Sequence, residues 1–195
     1  GSLDYRIPTQ ELMGVTVNAS LTIDPSANES TEVKGGVSTT SVSGTAYTLQ
    51  LAHESGLEIG GGIESVDDDA GIAEGQGTEA ATGYIKFSAG GLTAAYQETY
   101  TNNLAGTGKT GADVEEAFYG VAFTSGDVTV SYAEGSKQTK ALGSTAAGVE
   151  KESESLQVAY TMGAMTIAAA MSESTGEVAA TDKYEENTLS FNFAF

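Results

Sequence analysis

Leu189-Ser190-Phe191-Asn192-Phe193-Ala194-Phe195 is the stretch that decides the fold. Its large apolar residues, Leu189, Phe191, Phe193 and Phe195, alternate with Ser190, Asn192 and Ala194. In a strand successive side chains point to opposite faces, so this period of two gives one greasy face and one polar face. Helical spacing would scatter the same residues around a cylinder.

The same pattern recurs upstream. Leu156, Val158, Tyr160 and Met162 alternate with Gln157, Ala159 and Thr161. Val15, Val17, Ala19, Leu21 and Ile23 alternate with Thr16, Asn18, Ser20 and Thr22. Similar runs are Tyr47/Leu49/Leu51, Ile85/Phe87, Tyr119/Val121/Phe123, Val128/Val130/Tyr132 and Met165/Ile167/Ala169/Met171, with weaker members at Leu3/Tyr5/Ile7, Leu57/Ile59/Ile63 and Leu92/Ala94/Tyr96. The pattern predicts about eleven strands and no helix, in a single all-β domain over residues 1–195.

The connections sort into two kinds that take turns. Short ones are expected at Pro8–Gly14, His53–Gly56, Ala89–Gly91, Thr124–Asp127 and Met162–Ala164. Long ones are expected at Asp24–Gly44, Glu64–Ala81, Thr99–Asp113, Ala133–Ser153 and Ser172–Glu185. Antiparallel strands that cross a membrane give this alternation, with tight turns on the periplasmic side and longer loops outside. A soluble sandwich has no reason to keep it. The expected architecture is therefore an antiparallel transmembrane β-barrel.

Composition agrees and excludes other classes. The chain carries 27 acidic and 8 basic residues, a formal charge of −19. That sign argues against nucleic acid as a partner, because phosphates need a basic surface. There is no Cys, so no disulfide framework or thiolate metal site exists. No run approaches the roughly 20 apolar residues of a membrane helix, a test blind to barrel strands whose two faces average out. No signal peptide opens the chain, although an outer-membrane protein needs one.

On these residues the chain resembles the general porins of Gram-negative bacteria. The resemblance rests on Leu3-Asp4-Tyr5-Arg6-Ile7-Pro8 followed by Glu11-Leu12-Met13-Gly14-Val15-Thr16-Val17, on the Val158–Ala164 hairpin, and on the aromatic strand ending in Phe195. It implies a sixteen-stranded barrel of which this chain supplies the C-terminal eleven strands. It also implies a water-filled channel for ions and small hydrophilic solutes, a homotrimer, and contact with the lipid bilayer and lipopolysaccharide. Leu189, Phe191, Phe193 and Phe195 would be the signal read by the barrel assembly machinery. Eleven is odd, so the first and last strands run the same way and cannot close a barrel antiparallel; the N-terminal strands are expected to be absent.

By parity the lumen should receive Asp4, Arg6, Thr48, Gln50, Glu58, Lys86, Gln97, Glu116 and Gln157. Arg6 and Lys86 are expected to be the only basic residues on strands, as remnants of a cationic wall. Tyr5, Tyr100, Tyr132, Tyr160, Tyr184, Phe193 and Phe195 are candidates for interfacial aromatic girdles.

Other motifs carry less. Gly106–Gly111 matches G-x-G-x-x-G, but a Walker loop needs Gly where Asn103 stands, and a strand rather than a helix follows. Asp67, Asp68 and Asp69 lack the spacing of an EF-hand, and a solvated acidic loop is the preferred account over a weak Ca²⁺ site. Around His53, the only His, no nucleophile and base assemble, so no enzyme is expected and no cofactor beyond that Ca²⁺. The competing reading is a structural or adhesive cell-surface β-protein whose acidic loops bind Ca²⁺; it requires a second sheet packed on the apolar side chains.

Overall fold

A computed structural model describes residues 2–33, 36–68, 77–104, 112–141, 149–176 and 183–193. Within them the alternating segments form twelve strands: β1 (Leu3–Arg6), β2 (Gln10–Leu12), β3 (Val15–Val33), β4 (Gly36–His53), β5 (Leu57–Asp68), β6 (Gly77–Ala89), β7 (Leu92–Leu104), β8 (Ala112–Ser125), β9 (Val128–Ala141), β10 (Val149–Met162), β11 (Met165–Thr175) and β12 (Lys183–Phe193). All belong to one antiparallel sheet in which β3 to β12 pair in sequence order. Its edges are β12 on one side and, on the other, β1 and β2, which pair with successive stretches of β3.

The expected eleven strands become twelve because the stretch expected as a connection after Pro8 holds a short strand, β2. Arg6 pairs with Ser20 and Gln10 with Val17, so four steps along this edge oppose three along β3. The chain's other proline, Pro25, sits in the second irregularity, between the pairs Asp24/Gly44 and Ala27/Val42. Proline has no N–H to give to a ladder, and a bulge is where a strand can carry it.

The expected connections also need correction. The Pro8–Gly14 connection contains β2, and its turn is Met13-Gly14 alone. The Asp24–Gly44 loop is a paired hairpin that runs on to Val33 opposite Gly36. Likewise Glu150-Lys151-Glu152 lies in β10 and pairs with β9. Beyond the apolar band these segments are rich in Ser and Thr, which suit strands without an apolar alternation to reveal them.

Four hairpins close on two residues. Met13-Gly14 and Gly90-Gly91 have positive φ at both positions, the type I′ turn, while Gly126-Asp127 and Gly163-Ala164 have it only at the first, the type II′ turn. These turns match the right-handed twist of strands. Each hairpin carries a hydrogen-bonded side-chain pair just inside the turn: Glu11/Thr16, Ser88/Thr93, Thr124/Thr129 and Thr161/Thr166.

From β5 to β10 successive hairpins are offset by the same step. Leu57 pairs with Phe87, and β6 continues two residues to Ala89. Leu92 pairs with Phe123 and β8 continues two residues to Ser125; Val128 pairs with Tyr160 and β10 continues two to Met162.

Register then decides the two faces. One carries Leu49, Ile59, Ile85, Tyr96, Tyr119, Val130, Val158, Ile167 and Phe191, which the pairing register places on the same side of the sheet from β4 to β12. The other carries the polar partners. No hydrophobic side chain among the described residues is buried, and Leu49, Ile85, Val121, Val158 and Phe191 stand exposed. The fold is a single layer without a core.

Candidate functional site

The polar face gathers most of the residues singled out in the sequence. At the end near the short turns, Glu58 is the hub of a network across four strands, β3 to β6, that reaches Thr9 beside them. Its Oε1 accepts from Gln50 Nε2 at 2.8 Å and from the Tyr84 hydroxyl at 2.7 Å, and its Oε2 from Lys86 Nζ at 2.9 Å. Gln50 Oε1 accepts from Asn18 Nδ2 at 3.1 Å, and Asn18 Oδ1 from the Thr9 hydroxyl at 2.8 Å. Register sets this up, since Asn18 is opposite Gln50, Glu58 opposite Lys86, and Gly60 opposite Tyr84.

Gly60 makes room for the tyrosine. A Cβ there would lie 2.5 Å from Tyr84 Cε1, so the ring covers a site that no larger residue could share with it. Phe118 lies over Gly120 and Gly135 more loosely, at 3.6 and 3.7 Å from where a Cβ would stand, which is ordinary van der Waals contact. Glycine in a strand exposes its backbone, and a ring laid over it restores the missing contact.

The remaining sequence candidates occupy the same face but not the hub. Glu116 is opposite Lys137 and forms an ion pair of 2.7 Å. Asp4 pairs with Arg6 at 3.5 Å. Gln97 donates to Thr82 and Thr99, and Gln157 to Ser155. Thr48 shares a hydrogen bond of 2.7 Å with Ser20. Between Phe118 and Tyr184 the face holds a trough of about 590 Å³ floored by Gly135, Ser153 and Ser174.

Three expectations change. Arg6 and Lys86 are not the only strand cations, because Lys137, Lys140, Lys151 and Lys183 also lie in strands. The cationic wall is not free either, since Arg6 and Lys86 each meet a carboxylate. Tyr184 faces the polar side, opposite Ser174, and leaves the girdle.

The apolar face carries a feature that the sequence reading missed. Towards the ends away from the short turns, Tyr96, Tyr119 and Tyr132 aim their hydroxyls at a row of acids. Tyr96 donates to Glu98 at 3.3 Å, Tyr119 to Glu134, and Tyr132 to Glu134 at 2.9 Å and to Glu154 at 3.2 Å. Near the short turns the same face holds Phe87, Phe123, Tyr160 and Phe193. The signal was available: Tyr96/Glu98, Tyr132/Glu134 and Leu156/Glu154 are i, i+2 neighbours, which share a face. At the end of β11 and β12 away from the short turns, Lys183 meets Glu173 at 2.8 Å and Glu185 at 3.0 Å.

Asp67 and Asp68 fall in β5, and Asp69 lies outside the described residues, as do Phe195 and the Gly106–Gly111 motif. Among the described residues no group of three or more His, Cys, Asp or Glu could hold a metal ion. His53 Nδ1 lies 2.8 Å from the Ser55 hydroxyl and accepts from the Ser55 N–H at 3.1 Å, which fixes a turn. Comparison with protein-family models, curated proteins and solved structures finds no match to this chain.

Proposed function

We propose that this sheet is the wall of a transmembrane β-barrel in a bacterial outer membrane, forming a water-filled channel for passive diffusion of ions and small hydrophilic solutes. One observation carries this reading: a twelve-stranded single layer with one continuous apolar face and no buried hydrophobic side chain among the described residues. Such a face in water would be an aggregation surface, whereas against lipid chains it is solvated. Strands satisfy their backbone groups sideways, so only a sheet closed on itself suits hydrocarbon.

The offset repeated from β5 to β10 supports closure. Two residues per hairpin is one per strand, and a rise of about 3.3 Å against a spacing of about 4.8 Å tilts the strands by roughly 35°. That is the tilt of outer-membrane barrels. The polar face, with Gln50, Gln97, Gln157 and many small hydroxyl residues, would line water. Tyrosines at one margin and Phe87, Phe123 and Phe193 at the other would mark the two interfaces. Assembly into a trimer, contact with lipopolysaccharide, and delivery by the assembly machinery through Leu189–Phe195 belong to the same proposal.

The adhesive alternative needs a second layer over the apolar face, and the described residues form one sheet. The test is refolding of the chain with and without detergent, and planar-bilayer recording of the complete barrel that includes it. Detergent-dependent solubility and stepwise conductance are expected. A monomer fully soluble without detergent would refute the proposal.

A further inference from the structure

We infer that the channel prefers cations and that unpaired carboxylates, Glu64 and Glu186 among them, rather than the lysines, set that preference; the inference rests on the channel reading. Among the described side chains the polar face carries seven carboxylates (Asp4, Glu11, Asp24, Glu58, Glu64, Glu116 and Glu186). Four cations share it: Arg6, Lys86, Lys137 and Lys151. Seven against four leaves a net charge of −3.

Register separates paired from unpaired charge. Glu58 is directly opposite Lys86, and Glu116 directly opposite Lys137, so both lysines are held by carboxylates at 2.9 Å and 2.7 Å. Arg6 is met by Asp4, two residues away on its own strand. These pairs present dipoles to the lumen and little net field. Glu64, by contrast, lies between Ala46 on β4 and Ala80 on β6, and Glu186 lies opposite Ser172. No described cation reaches either carboxylate, and none reaches Asp24, whose Oδ1 is buried without a hydrogen-bond partner, or Glu11, which accepts from Thr16. Both sit in the half of the sheet away from the short turns, where solute would enter from outside.

A lumen with one sign of unpaired charge concentrates the opposite ion and depletes the like one. A mean potential of about one kT enriches cations and depletes anions by about e-fold each, a permeability ratio of about seven. Removing two of three net charges scales the potential to a third and the ratio to about two. Salt screens it in the same direction.

The experiment is the reversal potential, under a KCl gradient in planar bilayers, of the complete barrel that includes this chain, as wild type and as Glu64→Gln/Glu186→Gln. A K⁺/Cl⁻ permeability ratio near seven that falls to about two in the double variant, and falls in wild type at molar salt, is expected. Conductance with a ratio of one or below overturns the inference and leaves the channel standing. A high ratio that the double variant keeps, with its native unheated gel mobility intact, overturns the assignment to these two residues. Should the double variant not fold, a wild-type ratio that ignores molar salt overturns the inference. Absence of conductance in every salt overturns the channel reading, and the inference with it.

Discussion

Gly60→Ala tests the tightest contact on the polar face. The new methyl group would lie 2.5 Å from Tyr84 Cε1 and 2.6 Å from its hydroxyl oxygen, far inside van der Waals contact. The ring must swing aside, and its 2.7 Å hydrogen bond to Glu58 is lost. A hydrogen bond to a charged acceptor contributes about 1.5–3 kcal/mol; with the Glu58 side chain 21% exposed, about 1.5 kcal/mol is the appropriate end. Alanine in a strand recovers about 0.5–1 kcal/mol over glycine, so the net loss is about 0.5–1 kcal/mol. In a Tyr84→Ala background nothing collides, and the same substitution should stabilise by that 0.5–1 kcal/mol. The coupling between the two positions is then about 1.5 kcal/mol, well above the noise of a double-mutant cycle. Reversible urea unfolding from lipid vesicles, followed by far-ultraviolet circular dichroism, measures it. If Gly60→Ala costs the same with and without Tyr84, the ring does not occupy the space above Gly60 and the reasoning fails.

Three further outcomes follow from the faces, the turns and the edge. Val158→Lys on the apolar face should cost about 2–4 kcal/mol in vesicle refolding, whereas Gln157→Lys, one residue away on the polar face, should cost little; equal costs would contradict the assignment of faces. Met13 holds a φ of 51° in a type I′ turn, so Met13→Asn should raise the stability of the refolded chain by about 0.5–1 kcal/mol in urea titration, and a loss would contradict the turn type. Phe193→Ser should lower outer-membrane yield in cells while the purified chain still refolds in detergent; equal yield in cells would remove the assembly role of the terminal strand.

The fold was legible where apolar and polar residues alternate, and illegible where they do not. Val15–Ile23, Leu156–Met162 and Leu189–Phe193 declare themselves as strands by period alone, and the register places each on the expected face. Ser30 and Thr31 opposite Thr39 and Ser38 carry no such contrast, so a paired hairpin there reads as a loop in sequence. Gln10–Leu12 is too short to show a period, so a strand there reads as part of the connection that Pro8 opens. At the site, parity placed Gln50, Glu58 and Lys86 on one face but could not say that they touch. Contact depends on which residues stand opposite one another, and pairing register between segments is set by turns and bulges rather than by any single segment. The Tyr84 hydroxyl joins the hub for the same reason, through the gap at Gly60 across the strand pair.

Closure is the step on which the two faces depend. Each crossing of the sheet reverses strand direction, and β1 and β2 are separated from β12 by nine intervening strands, so the two edges run the same way. Joined directly, they would pair parallel, in a wall that is antiparallel everywhere else. An odd number of further strands restores the alternation, and the five implied by a sixteen-stranded wall satisfy it. A second copy of the eleven strand positions, placed in the same orientation across a membrane, would create two parallel seams and keep the fault. The edges therefore favour additional strands over self-association as the means of closing the barrel. Supplying a peptide that spans one edge antiparallel should consequently raise the thermal stability of the refolded chain, while raising the concentration of the chain itself should not. A midpoint that climbs with chain concentration and ignores the peptide would reverse that conclusion.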